Sequence, residues 1–273
     1  MARIQIRQLK SLSDFRACER IQTAVWGGVG VTSEVLSVTA KYGGVVLGAE
    51  RRGHIAGFLY AFLARRRGRL IHWSHMMALE PGFRNRGLGF TMKLAHRRLA
   101  LAQGIRSICW TYDPLQSRNA ALNIGRLGAR VDEYVENCYG RFPSRIEKGL
   151  PSDRFVVEWL ISSSAVAKRL AAKRRGFSGF TSLPRANETR SNARSLVENQ
   201  KLHLDLKAPR MAFEIPANTD EIRQKDIALA ARWRIEMRKL FVHYFRRGYR
   251  VKDFVPPDGT GGRCFYILSR PRS

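Results

Sequence analysis

Glu80-Pro81-Gly82-Phe83-Arg84-Asn85-Arg86-Gly87-Leu88-Gly89-Phe90 lies between an apolar, strand-like run and a strongly periodic segment. Downstream, Leu88, Met92, Ala95, Leu99 and Ala102 recur at spacings of four and three, which predicts one face of a helix stopped at Gly104. Upstream, Leu70 to Leu79 reads as a strand. A strand that feeds a glycine-containing turn and then a helix N-terminus presents unpaired backbone N–H groups at the positive end of a helix dipole. Gly87 and Gly89 let a ligand approach the main chain, so the stretch is predicted to cradle an anion, with pyrophosphate the natural occupant. The bland alternative is a surface turn whose basic residues are solvated. No G-x-x-x-x-G-K-[ST] occurs and no G-x-G-x-x-G follows a strand, which argues against a nucleotide hydrolase or a nicotinamide enzyme.

Working outward, Ile105 to Tyr112 is a second apolar strand ending at Asp113-Pro114. Strand, turn, helix and strand make a βαβ unit, so the two strands are expected to be parallel, with ligand at their C-terminal ends. Before it, Ile4 to Leu9 alternates as a strand, and Ser13 and Asp14 are placed to cap a helix ended by Gly27 and Gly28. A short helix over 32–41 and a hairpin of Val45–Glu50 with Ile55–Ala64 follow. After it, a helix over Ser117 to Leu127 and strands Ala129–Tyr139 and Phe155–Ile161 complete residues 1–162.

The spacing Arg84-x-x-Gly87-x-Gly89, preceded by Pro81, resembles the pyrophosphate signature of the GNAT (Gcn5-related N-acetyltransferase) superfamily, and the order β-α-α-β-β-β-α-β-α-β-β is similar to that of its fold. The resemblance implies an α/β (α+β) mixed sheet, with acetyl-CoA or another acyl-CoA as donor cosubstrate. It further implies an acyltransferase acting on an amine acceptor. By the same resemblance, backbone groups of Met77, Ala78 and Leu79 would meet the pantetheine arm and thioester, and Arg84, Asn85, Arg86, Gly87, Leu88, Gly89 and Phe90 the pyrophosphate. Residues 117–129 match the spacing of a later motif of the superfamily, with Ala120 and Gly128 in register. Ser117 stands there where Asn is usual and is carried over as a further contact to the acyl-CoA, and Ile124 stands where a Tyr often protonates the departing thiolate. Segments 113–129 and 149–159 resemble a narrower group of long, poorly characterised GNAT proteins with a C-terminal extension.

The acyl acceptor's proton needs a base. On the 70–79 strand, strict alternation puts His75 on one face with Trp73 and Met77, and His72 and Ser74 on the other. Imidazole titrates near neutrality and GNAT enzymes often place a Glu or His on this strand, which makes His75 the candidate base. Ser74, Tyr112, Asp113 and Tyr139 are secondary candidates for polar support or acid.

At 273 residues the chain is long enough for one elaborated domain or one domain with a smaller partner. Its formal charge of +27 would suit nucleic acid, an anionic membrane or a phosphorylated ligand. Residues 1–162 hold 25 basic and 12 acidic side chains and residues 163–273 hold 24 and 10, so the shorter part is the more basic. The basic residues are dispersed and no RNA-binding or zinc-finger signature is readable, which places nucleic-acid binding behind two other readings, an acyltransferase and a catalytically silent acyl-CoA-binding or regulatory protein. Cys18, Cys109, Cys138 and Cys264 form no C-x-x-C pair, so no metal site or disulfide framework is expected and a reducing, cytoplasmic setting fits. No run reaches membrane-spanning length, and no membrane partner is expected.

Residues 163–210 are predicted as a basic linker with a short helix over 165–175, and 211–273 as a smaller αβ extension. In that extension a strand over 211–215 precedes one long amphipathic helix from Thr219 to Gly248 and a hairpin of 249–255 with 264–268. The glycine cluster at 259–262 is read as the loop between those strands.

Overall fold

The computed structural model describes residues 3–140, 149–172, 180–257 and 262–270. These fall into two compact units: residues 3–110 with 159–164, and the described remainder.

In the first unit the order is β1 (Gln5–Gln8), α1 (Leu12–Trp26), α2 (Ser33–Lys41), β2 (Val45–Arg51), β3 (His54–Arg66), β4 (Arg69–Leu79), α3 (Leu88–Ala102) and the start of β5 (Ile108–Tyr112). Helix α1 begins two or three residues earlier than the sequence suggested, because Ser11 and Asp14 form a reciprocal capping box, and it ends at Gly27 with φ 92°. Strands β1 to β4 pair antiparallel in chain order. The two hairpin turns place Arg52-Gly53 and Arg67-Gly68 at positive φ, the tight-turn geometry that suits the right-handed twist of the flanking strands.

Strand β5 lies parallel to β4, as the βαβ reading requires. Their ladder is short: His72 pairs with Ile108 and Trp73 with Cys109, while β4 runs on to Leu79. Apolar side chains fill both faces of the sheet. Phe15, Cys18, Ile21 and Leu36 pack on Val46, Phe58 and Tyr60 on the α1–α2 face. Met92 and Ala95 of α3 pack on Val45, Leu47, Leu59 and Ala61 on the other.

The second unit begins with the last residues of β5, to Tyr112, and contains β6 (Arg130–Val135) paired antiparallel with β7 (Arg154–Trp159). Helix α4 (Ser117–Ala120) runs into a wider π-type turn over Ala121–Arg126, so the helix expected over 117–127 is only partly α-helical. Within residues 163–210 the described residues include regular elements. They hold α5 (Ser164–Ala171) and a hairpin of β8 (Asn187–Ser191) with β9 (Val197–Leu202).

Beyond them, β10 (Arg210–Ile215), β11 (Arg250–Val255) and β12 (Cys264–Ser269) form a sheet in the order β10-β12-β11. The single long helix expected from Thr219 is two helices, α6 (Thr219–Lys225) and α7 (Ile227–Arg246). Asp226 is the reason: its backbone is extended at φ −153° and its carboxylate caps the Leu229 N–H at 2.9 Å, starting a new helix. Of the glycine cluster, residues 259–261 lie outside the described residues.

Much of the basic charge here is paired within the unit. Arg190 and Arg232 share Glu198, Arg118 and Arg223 share Asp220, Arg238 binds Asp153, and Arg263 binds Glu214. No helix among the described residues is long and apolar enough to cross a membrane.

Candidate acyl-CoA site

The stretch from β4 to α3 is a continuous piece of the first unit. At the end of β4 a single 3₁₀ turn, Pro81–Phe83, reverses the chain, and Arg84 donates from Nε to the Leu79 carbonyl at 2.9 Å. That bond ties the turn to the strand end. Asn85 (φ 59°) and Gly87 (φ 76°) then adopt left-handed conformations, and Gly87 is the residue from which α3 starts. No side chain caps that start and the first turn carries no acidic residue. Thr91 donates its N–H to the Gly87 carbonyl at 3.1 Å, so the amides before it belong to the helix end that has no intrahelical acceptor.

Arg84, Asn85, Arg86 and Gly87 are exposed, Gly89 and Phe90 are half-buried, and Leu88 turns into the core as the first residue of the apolar stripe. Arg86 lies over the Phe83 ring at 6.0 Å. An open helix N-terminus, two flanking guanidinium groups and no carboxylate in the first turn of the helix make a surface that stabilises an anion.

Met77, Ala78 and Leu79 form the last turn-ward part of β4, paired with Leu59, Phe58 and Gly57 of β3. Successive amides of a strand point to opposite edges, so one edge of this stretch bonds β3 and the other faces the side from which β5 has parted after Trp73 and Cys109.

The β3–β4 ladder shifts register here: Tyr60 is opposite Met76 but Ala61 is opposite Ser74, leaving His75 as the extra residue of a bulge. The bulge corrects the facing expected from strict alternation. Met76 packs against the α1–α2 core, Met77 and Leu79 against the α3 core, and His75 lies edge-on to Tyr60 and tilted against Phe62, ring centroids 6.0 and 5.9 Å away. His75 therefore does not share a face with Met77. It stays exposed at its edge, while the apolar surroundings push its imidazole pKa below the ordinary value.

The opposite face of the same strand carries polar groups that the sequence reading passed over. Lys93 of α3 is 3% exposed, donates from Nζ to Ser74 Oγ at 3.0 Å and sits 3.7 Å from the centroid of the Trp110 ring. Desolvation brings its pKa down to about 7. Farther along α3, His96 Nε2 lies 3.0 Å from His72 Nδ1, with both rings fully buried and stacked. Burial lowers both imidazoles, His96 further because Lys93 and His72 are close. The available signal was the row Gly89, Lys93, His96, Ala100, one position on from the apolar stripe, which widens the buried face of α3.

Lowered pKa values of this kind have a testable sign. An unfolded chain binds protons near 6.5 on histidine and near 10.5 on lysine that the folded protein refuses, so stability from these groups is lost as pH falls through each window. Denaturant midpoints should therefore rise from pH 7 toward pH 10, and Lys93→Met should flatten that rise; an unchanged rise in the variant would count against a neutral buried amine.

The remaining candidates lie in the second unit. Ser117 is buried and its hydroxyl donates to the Ala217 carbonyl at 2.6 Å. Tyr112 is buried with its hydroxyl 3.2 Å from that of Tyr266, and burial raises its pKa. Asp113 is held by Arg234, and Tyr139 meets Thr111, hydroxyl to hydroxyl, at 2.7 Å. Ile124 is 2% exposed in the π-type turn. Among the described residues no group of His, Cys, Asp and Glu is placed to hold a metal ion.

No family model matches the chain, and no curated protein does. Among solved structures it is similar to a GNAT-family acetyltransferase from Streptococcus pneumoniae, at 19% identity and TM-score 0.46 over 57% of this chain and 98% of that one. It is also similar to the ribosomal-protein-S18-alanine N-acetyltransferase of Escherichia coli, at 14% identity and TM-score 0.48 over 64% of this chain and 100% of that one. Arabidopsis thaliana NAA60 in complex with acetyl-CoA is similar at 14% identity and TM-score 0.47, over 58% of this chain and 99% of that one.

Proposed function

We propose that the first unit binds acyl-CoA and transfers its acyl group to an amine. The observation that carries this reading is the sequence of features along one piece of chain: a parallel strand pair whose ladder ends after two residue pairs, a bulge at that level, and an uncapped helix N-terminus directly beyond. The pyrophosphate of CoA suits the amides and guanidinium groups from Arg84 to Phe90, and the pantetheine arm, which carries amides of its own, suits the unpaired edge of Met77, Ala78 and Leu79. His75 is the base in this reading, and Ser117 has no assigned contact with the donor because its hydroxyl is already engaged.

The test is calorimetric titration with CoA and acetyl-CoA, followed by an acceptor screen with whichever acyl-CoA co-purifies. Gly87 has open space where a Cβ would go, but its left-handed backbone costs an L-residue roughly 1–2 kcal/mol. Gly87→Val should weaken CoA binding roughly tenfold or more, because relief of that strain would move the amides that the turn presents, and Gly89→Val should do so by placing bulk where the ligand meets the helix end. Arg86→Gln should cost less. Unchanged affinity in both glycine variants would remove the site.

Ile124 at the place of the usual tyrosine acid favours a second reading, a binding protein without turnover. Tight acyl-CoA binding with no amine acylated would select it. Localisation in a reducing cytoplasm accords with cysteines that are all free among the described residues.

A further inference from the structure

The polar cluster on the α3 face lies at one level of the sheet, and that level is informative. The β4–β5 ladder ends at Trp73 and Cys109, so Ser74 and Trp110 are the first residues on each strand beyond it. Lys93 Nζ touches both of them, hydrogen-bonding one and lying over the ring of the other. An amine thus spans the two strands where their main chains cease to bond. His75 occupies the bulge at the same level but faces the α1–α2 side.

An isolated ammonium in an apolar interior is costly and is normally answered by a carboxylate. Here the groups around Lys93 are the Ser74 hydroxyl from β4, the Trp110 ring from β5, and His96 with His72 behind it. Only desolvation moves its titration. Among the described residues the amine therefore has a hydroxyl to pass a proton to and no anion to hold it.

On the acyl-transfer reading proposed above, the structure assigns Lys93 as the proton source for the departing CoA thiolate, acting through the Ser74 hydroxyl. This supplies the acid that Ile124 cannot. Starting from a neutral acceptor, the amine nitrogen forms a bond to the thioester carbonyl carbon and gives a proton to His75. Collapse of the tetrahedral adduct breaks the carbon–sulfur bond and leaves the electron pair on sulfur. Sulfur takes the proton of Ser74 Oγ, which takes one from Lys93 Nζ. The products are amide and CoA thiol, with His75 protonated and Lys93 neutral, and exchange with solvent restores both. The transfer runs downhill, because an alkyl thiol titrates at about 8.5 and Lys93 at about 7. Lys93 here is a positioning and proton-supplying residue, and Ser74 the group that meets sulfur.

The experiment has two arms. In the first, kcat is measured against pH for the unmutated protein, Lys93→Met and Ser74→Ala. The unmutated protein should lose activity as pH rises through the titration of Lys93, and both variants should lose that alkaline limb and fall roughly 10²-fold near neutrality, with CoA affinity unchanged. A purely packing role for Lys93 would leave the limb in place, and that result overturns the assignment. In the second arm, which needs no turnover, the ultraviolet absorbance of thiolate is followed with pH in the CoA complex, with the desulfo-CoA complex subtracted. Near pH 7 the thiolate fraction should be several-fold larger in the unmutated protein than in Lys93→Met, because the ammonium favours a thiolate beside it. Identical ionisation in the two overturns the proposal, even if every amine tested fails as acceptor and the acyl-transfer reading falls on its own. Lys93→Met removes a buried charge and Ser74→Ala keeps it, so loss of folding in one leaves the other to decide.

Discussion

His75→Gln is expected to lower turnover by roughly 10²–10⁴-fold, the range for loss of a general base, while leaving CoA binding nearly as it was. Glutamine keeps much of the side chain's length and its capacity to hydrogen-bond, so the bulge of β4 should persist. What it removes is the titration. Because partial desolvation beside the Tyr60 and Phe62 rings lowers the imidazole pKa below 6.5, the base is free at neutral pH. Activity of the unmutated protein should fall as pH drops through that lowered value and stay level above it, until the alkaline limb assigned to Lys93 begins. In His75→Gln the acid limb should vanish together with most of the rate, a pairing that separates loss of a base from loss of packing. Full turnover with the same acid limb would move the role to water, to another side chain or to an acceptor already deprotonated.

The cradle was legible because its physics is local. Glycines at Gly87 and Gly89, arginines at Arg84 and Arg86, and an apolar run on either side specify strand, turn and helix without reference to distant residues, and the helix ends where the spacing of Leu88, Met92, Ala95 and Leu99 says it should. Parallel pairing of β4 with β5 followed from the crossover helix. The facing of His75 was not legible in full. A bulge is set by the mismatch between two strands that twist against different neighbours, and a period-two reading of one strand contains no mark of it.

Lys93 was missed for a related reason. A charged residue beside an apolar stripe reads as solvated, and its burial depends on Ser74 and Trp110 being brought to the same level by two strands far apart in sequence. The second unit shows the same limit. The helix from Thr219 reads as continuous in its apolar spacing, and what divides it is the side-chain cap that Asp226 supplies to Leu229. The β8–β9 hairpin hides behind a Ser-, Lys- and Arg-rich composition, because its stability comes from cross-strand pairs such as Arg190 with Glu198 and from the Asn187 amide, which binds Asn199 and the Glu214 carbonyl.

Asp113→Ala should destabilise the second unit by about 3–5 kcal/mol, the cost of removing one partner of a buried ion pair. Asp113 directly follows β5, and sequence alone left it as a possible acid. Both its carboxylate oxygens are taken by Arg234 of α7, at 2.6 and 2.7 Å, and one of them also accepts the Leu115 N–H at 2.9 Å. Burial by itself would raise its pKa, but the charge and hydrogen bonds of Arg234 outweigh burial and hold it below the ordinary 3.8. A carboxylate so held is a poor proton donor, which makes it a clamp. Its contribution should be complete above pH 4 and disappear only as pH falls through the lowered value. In the single variant Arg234, 1% exposed, stays buried while losing both of its hydrogen bonds to the Asp113 carboxylate. The double replacement Asp113→Leu with Arg234→Met should recover most of the loss, because it trades a desolvated pair for apolar contacts beside Phe155, Phe241 and Tyr266, whose rings already pack edge to face. Denaturant unfolding with hydrogen exchange followed on the α7 amides would read this directly. A loss below about 1 kcal/mol in Asp113→Ala, the value of an exposed pair, would mean that the charge finds solvent and that α7 is held by its aromatic face alone.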